Sequence, residues 1–284
     1  MVSKQKGVAL LQVLLLTAIL TLMALYFVAV AKSNVNKSIE MGNVAAAELK
    51  LQTVQSELLF ELLTQQTNAL LAQEPQKRTF SSRWNFYAKP FEPEPGVTVE
   101  LQDVNGLVSV ISSANLMPFK QLLRYFKVSP TNESGIINEL LQWQSPHPGA
   151  GAVSQPEFRH DAMAGIEDIL KFESVGDELG NKLLPLIYPW EKSLFNPLVA
   201  PDTILRATYG DEMAAQLTKL REEGLLNARR FTELTGLSDD DEFIFQVGRR
   251  FRVKITVSVG GAVVMYSGFW YIRPENDAPV IFLN

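Results

Sequence analysis

Lys4-Gln5-Lys6-Gly7 runs directly into VALLQVLLLTAILTLMALYFVAVA, residues 8–31, and the reading of this junction decides the fold. The 24 residues from Val8 to Ala31 carry no charge, and only Gln12, Thr17 and Thr21 interrupt their apolar character. Such a run is long enough to cross a bilayer as a helix. A cleaved secretory signal has an apolar core of about 7 to 15 residues followed by a small-residue cleavage site. This run is longer, and no A-x-A-like site follows it in a helix-breaking context. Lys4 and Lys6 on one side face Lys32 and Lys37 on the other, so the lysine rule leaves orientation open.

The short leader Met1 to Gly7, ending Lys4-Gln5-Lys6-Gly7 against Val8-Ala9-Leu10-Leu11, resembles a prepilin leader. The resemblance implies that a membrane prepilin peptidase cuts between Gly7 and Val8, that Val8 is then N-methylated, and that residues 8–31 stay as a transmembrane and assembly helix. Losing Lys4 and Lys6 leaves 24 basic against 31 acidic residues, a formal charge of -7. Pilins and most pseudopilins carry glutamate at the fifth mature position, where this chain has Gln12. A carboxylate at lipid depth costs about 2.5 to 3.5 kcal/mol and is kept where a partner, here the amine of a neighbouring subunit, compensates it. A subunit without it lacks that contact, although a glutamine retained without function is the alternative. The Gly7-Val8-Ala9-Leu10-Leu11 start with Gln12 resembles the minor pseudopilin K family of type II secretion. That resemblance implies a bacterial inner-membrane, single-pass subunit with a periplasmic C-terminal domain, at the tip of a pseudopilus. Its implied partners are other minor pseudopilins, the major pseudopilin, the inner-membrane secretion platform and the prepilin peptidase.

Beyond Lys32, Leu51, Val54, Leu58 and Leu62 recur at helical steps while Glu48, Lys50, Gln55, Glu57 and Glu61 take other faces. One helix from Val8 to about Gln73 would be roughly 100 Å long. Residues 32–88 are thus assigned to the periplasmic part of the N-terminal helix. A proline-rich stretch, Lys89 to Gly96, ends any helix. Alternating Val97, Val99 and Leu101, the Asn105-Gly106 pair, and returning Leu107, Val108, Val110 and Ile111 predict a β-hairpin over 96–111. Residues 100–110 resemble the hairpin that opens the insertion of the K family.

Residues 112–235 read as a helical insert of two lobes, about 112–145 and 157–235. Helices are expected at Leu116–Phe126, Gly135–Trp143, Gly165–Glu173, Asp177–Ile187, Pro201–Thr208 and Asp211–Glu223. Residues 169–184 look like a helix-hairpin-helix, which can present amides to phosphate. Acidic residues outnumber lysines seven to three between Asp161 and Lys192, however, which favours packing over nucleic-acid binding. Strands are expected at Phe243–Val247, Arg252–Val259, Ala262–Tyr271 and Val280–Leu283, with a Gly260-Gly261 turn, so that 243–284 completes the sheet. The expected fold class is α+β: a long N-terminal membrane and assembly helix packed on an antiparallel, pilin-like sheet, with a large all-helical domain inserted between strands.

Composition bounds function. The 284 residues are 46% hydrophobic and 20% charged with a net charge of -5, which supports a sizeable core and disfavours nonspecific nucleic-acid binding. No cysteine is present, so disulfides, thiolate metal sites and thiol nucleophiles are excluded. His147, between Pro146 and Pro148, reads as a loop residue. No phosphate loop, nucleophile elbow, zincin or dinucleotide motif occurs, so no enzyme activity and no cofactor is expected. Asp239-Asp240-Asp241-Glu242 lacks calcium-loop spacing and reads as a solvated turn. Some K-family members bind calcium beside a tryptophan; the matching Gln142-Trp143-Gln144-Ser145 has no carboxylate, so no metal residue is assigned. A minor pilin of a type IV pilus is the alternative within the same class, and a membrane-anchored helix-hairpin-helix binding module is the alternative from another.

Overall fold

The computed structural model describes residues 6–64, 80, 84–145, 158–190, 194–237 and 243–283. One helix, α1 (Lys6–Thr64), dominates the molecule. At 59 residues it is about 88 Å long. Residues 65–79 lie outside the described residues, so the extension expected to Gln73 does too.

The sheet has the order β1 (Val97–Asp103), β4 (Arg250–Val259), β5 (Ala262–Ile272), β6 (Val280–Leu283), and every pairing in it is antiparallel. Alternation on β4 is strict: Phe251, Val253, Ile255 and Val257 are buried and face α1, while Arg250, Arg252, Lys254 and Thr256 point to the other face. Val97, Val99 and Leu101 on β1 and Trp270 and Ile272 on β5 extend the same buried layer. Against it α1 lays Ala47, Val54, Leu58 and Leu62, none more than 2% exposed. The helical stripe read from the sequence is therefore the seam of this core. Gly260 and Gly261 adopt φ of 55° and 92°. Two consecutive positive values define the tight hairpin turn that the glycine pair was expected to make.

The hairpin expected over 96–111 does not form. β1 pairs with β4, about 150 residues away in sequence, and its other edge is occupied by bridges from Tyr87 to Gln102 and from Phe91 to Val99. Asn105-Gly106 lies instead in a 3₁₀ turn (Val104–Gly106) that Asp103 caps by accepting from the Asn105 amide at 2.9 Å. The turn aims the chain into the insert, where β2 (Val108–Ser109) pairs in parallel with β3 (Ile187–Tyr188). Local turn chemistry lost to the long-range pairing with β4 on one edge of β1 and the nearby Tyr87 and Phe91 bridges on the other, which together left β1 no free edge.

Between β1 and β4 stand α2 (Met117–Tyr125), α3 (Pro130–Gln144), α4 (Gly176–Leu183), α5 (Asp202–Tyr209), α6 (Asp211–Glu222) and α7 (Ala228–Thr235). They bury a second core in which Trp143 packs against Phe158 and Phe172, with ring centroids 5.8 and 5.6 Å apart. Several expectations are corrected here. Gly165–Glu173 is a 3₁₀ segment (Ile166–Lys171), α4 stops at Leu183 so that Ile187 enters β3, α7 answers to no expected helix, and Phe243–Val247 forms only a bridge from Phe243 to Phe195. α7 begins where the Asn227 side chain accepts from the Arg230 amide, a cap the polar sequence concealed.

A buried polar hub ties the insert to the sheet. Asp103 Oδ2 accepts from the Gly248 amide at 2.7 Å, joining the residue where the chain leaves the sheet to one just before it returns. Asn196 donates its amide to Asn105 O at 2.8 Å and its side chain to Gln246 O at 2.9 Å, while Gln102 Nε2 reaches Val199 O at 2.9 Å. Each of these bonds satisfies a group that could not stay buried alone.

Candidate membrane-anchoring and assembly segment

The half of α1 that precedes the sheet packs against no other described element. Every residue from Val8 to Gly42 is exposed, including Leu11 at 68% and Tyr26 at 67%. In water that much apolar surface on one helix would be untenable. The span is about 52 Å long, of which the uncharged run 8–31 supplies about 36 Å, against a hydrocarbon thickness of about 30 Å. It lies in the one described helix long and apolar enough to cross a membrane.

The polar groups of the run are largely satisfied within the helix. Thr17 Oγ1 donates to Leu14 O at 2.9 Å and Thr21 Oγ1 to Thr17 O at 2.7 Å. Both hydroxyls can enter lipid without an orphaned donor. The rings of Tyr26 and Phe27 meet edge to face, 6.1 Å apart, about 27 Å along the helix from Val8. Aromatic pairs at that depth suit the boundary between hydrocarbon and headgroups.

Gly7 and Val8 are the second and third residues of α1, and Val8 is 59% exposed. Gln12 comes four residues after Val8, so the two share one helix face, and Gln12 is exposed with no side-chain hydrogen bond to any described residue. The three residues singled out from the sequence thus lie together on the first turns of an unpartnered helix. An amide there has donors and acceptors but no charge for an amine to neutralise.

Docking begins at one contact that the sequence did not announce. Asn43 Nδ2 donates to Gly260 O at 2.8 Å, tying α1 to the β4–β5 turn just where the helix first meets the sheet. Lys50 Nζ then donates to Pro95 O at 3.0 Å and lies 3.5 Å from Glu94. Gly42, one residue before this contact, has open space around it.

In the helix-hairpin-helix-like stretch, Lys171 pairs with Asp168 at 2.7 Å and Lys182 with Glu178 at 2.6 Å. Burial pushes the Asp168 carboxyl up, but Lys171 and the Ala164 amide outweigh it and hold the group below its ordinary value. These lysines are thus already engaged by carboxylates. Among the described residues no three carboxylate or imidazole groups converge as a metal site would require. The acidic run 239–242 and His147 lie outside the described residues. Trp143 is buried, and Gln144 holds Val110 O and the Ser112 amide.

No protein-family model matches the chain. No curated protein matches it. Among solved structures, a chain of the GspK-GspI-GspJ complex from the type 2 secretion system of enterotoxigenic Escherichia coli superposes with a TM-score of 0.56 at 14% identity, spanning 89% of this chain and 97% of that one. The likeness is one of fold, and in this chain that pseudopilin-like fold consists of a long N-terminal helix, an antiparallel sheet and several further helices.

Proposed function

We propose that this chain is a minor pseudopilin of a type II secretion system, a structural and non-catalytic subunit held in the inner membrane by α1 with its folded part in the periplasm. The observation that carries the reading is a bipartite helix, free over 8–42, uncharged and apolar over 8–31, and docked on a sheet from Asn43 onward, in a fold shared along 89% of the chain with a chain of the GspK-GspI-GspJ complex. The leader Met1–Gly7 supports cleavage between Gly7 and Val8 by prepilin peptidase and methylation of Val8. Other minor pseudopilins, the major pseudopilin and the secretion platform are the partners this role requires.

Two features favour the tip over the shaft. Gln12 offers no carboxylate to the amine of an adjoining subunit. The insert, from α2 to α7, adds bulk to one side of the sheet that closely stacked shaft subunits would have to avoid. Intact-mass measurement of the membrane-extracted protein, combined with quantified crosslinking from residues 8–31, tests this function. The expected result is a mature chain starting at methylated Val8, present in few copies and crosslinked to other pseudopilins. Retention of Met1–Gly7 in cells with active peptidase would overturn the prepilin reading, and copy number close to the major subunit would overturn tip placement.

A further inference from the structure

A cleft of about 330 Å³ opens where the insert overhangs the outer face of the sheet. Its floor is the row Arg252 and Lys254 on β4 beside Ser267 and Phe269 on β5, and its roof includes Ile166 and Leu184. The two cations differ. Lys254 Nζ is paired with Glu100 Oε1 at 3.0 Å. Arg252 donates only to two carbonyls, Leu184 O at 3.1 Å and Pro185 O at 2.7 Å, and has no carboxylate in ion-pair contact among the described residues. Two of its five N–H donors are so occupied. Burial pushes its pKa down to about 10, with the more distant Glu100 opposing the shift.

We propose that this cleft binds a monocarboxylate carried on an apolar body, with the carboxylate against Arg252 and the apolar part between Phe269 and Ile166. Three of the Arg252 N–H donors have no acceptor among the described residues, and an anion that reaches them gains a charge-assisted, bidentate pair on a half-buried guanidinium. The walls select further. Glu167 stands exposed at the mouth and Glu100 is paired with Lys254, so the two carboxylates offset the two cations and the cleft disfavours a dianion such as hydrogen phosphate more than a monoanion. Ile166, Leu184 and Phe269 take the apolar part of the ligand out of water. The site stands on its own geometry and does not depend on the pseudopilin role.

Isothermal titration of the detergent-solubilised full chain at pH 7 tests it, with three probes: N-acetyl-L-leucine, which mimics a polypeptide C-terminus; butanoate, a small organic acid; and uncharged N-acetyl-L-leucinamide. The carboxylates should bind saturably, N-acetyl-L-leucine about tenfold or more tighter than its amide. The tighter of the two acids identifies the source. Ser267→Phe, which fills the cleft from β5 and keeps the Arg252 side chain itself, should abolish binding while keeping the wild-type melting temperature, and Glu167→Gln should tighten it. Equal affinity for the acid and the amide, unchanged binding in folded Ser267→Phe, or no saturable binding of either acid would overturn the proposal.

Discussion

Residues 8–42 and 43–64 belong to one uninterrupted helix, yet they solve opposite problems. The first half exposes leucines on every side and satisfies its threonine hydroxyls internally; the second confines its buried residues to a stripe through Ala47, Val54, Leu58 and Leu62. Helix geometry is identical in both. The solvent each pattern presupposes differs: lipid or neighbouring helices for the first, water on one side and a sheet on the other for the second. The boundary is sharp, falling between Gly42, where an added Cβ would meet open space, and Asn43, which is bonded to the sheet.

Shortening a leucine in each half separates the two most strongly. Leu58→Ala, at a fully buried position, should cost about 2 to 5 kcal/mol of folded-state stability in urea unfolding of the solubilised protein. Leu20→Ala, at a position 62% exposed, should change it by less than about 0.5 kcal/mol. Equal losses would erase the distinction. A charge reverses the ranking: Leu20→Arg should disfavour membrane insertion by about 2.5 to 3.5 kcal/mol, read as the inserted fraction in a translocation assay, and leave the melting of the head unchanged.

The boundary is probed by two glycines. Gly260 has φ of 55° and a Cβ there would meet the Asn43 amide group at 2.5 Å, so Gly260→Ala should destabilise the head by about 1 to 2 kcal/mol. Gly42→Ala meets open space in a helix and should stabilise it by about 0.5 to 1 kcal/mol. Circular dichroism melts of the pair should therefore move in opposite directions.

The smallest effect lies far from the helix and serves as its control. Asp168 is held below its ordinary carboxyl value of 3.8, so the stability it supplies is present above that value and is lost as pH falls through the still lower folded value. Below about pH 4 the melting temperature of the wild type should fall more steeply than that of Asp168→Asn, by no more than about 2 °C, with no change in docking of α1.

Much of this was legible in the sequence, for reasons that vary by element. The long apolar run, the docked stripe, the strands that became β4, β5 and β6, and the Gly260-Gly261 turn are local patterns whose meaning does not depend on distant partners. The Asn105-Gly106 hairpin failed because the competing partner of β1 stands about 150 residues away. The hub of Asp103, Asn105, Asn196 and Gly248 was invisible for the same reason: each residue alone reads as an ordinary turn former, and only folding makes them a clasp. Of the candidate segment, Gly7, Val8 and Gln12 were named from the sequence, whereas Asn43 gave no signal because its bond is to a backbone carbonyl. Arg252 and Lys254 were read only as members of a strand; their different partners, two carbonyls of the cleft roof for Arg252 and the Glu100 carboxylate for Lys254, come from distant segments.

The native chain has no cysteine, so single cysteines placed along α1 report its surroundings without background. Labelling of positions 10 to 62 in native membranes by a membrane-impermeant maleimide tests the bipartite helix directly. The account predicts no labelling at 14, 20 and 25, full labelling at 34, 36 and 41, and beyond 43 a helical alternation in which 49, 56 and 60 react while 47, 54 and 58 do not. Labelling at 20 as fast as at 36, or uniform labelling from 47 to 60, would contradict it.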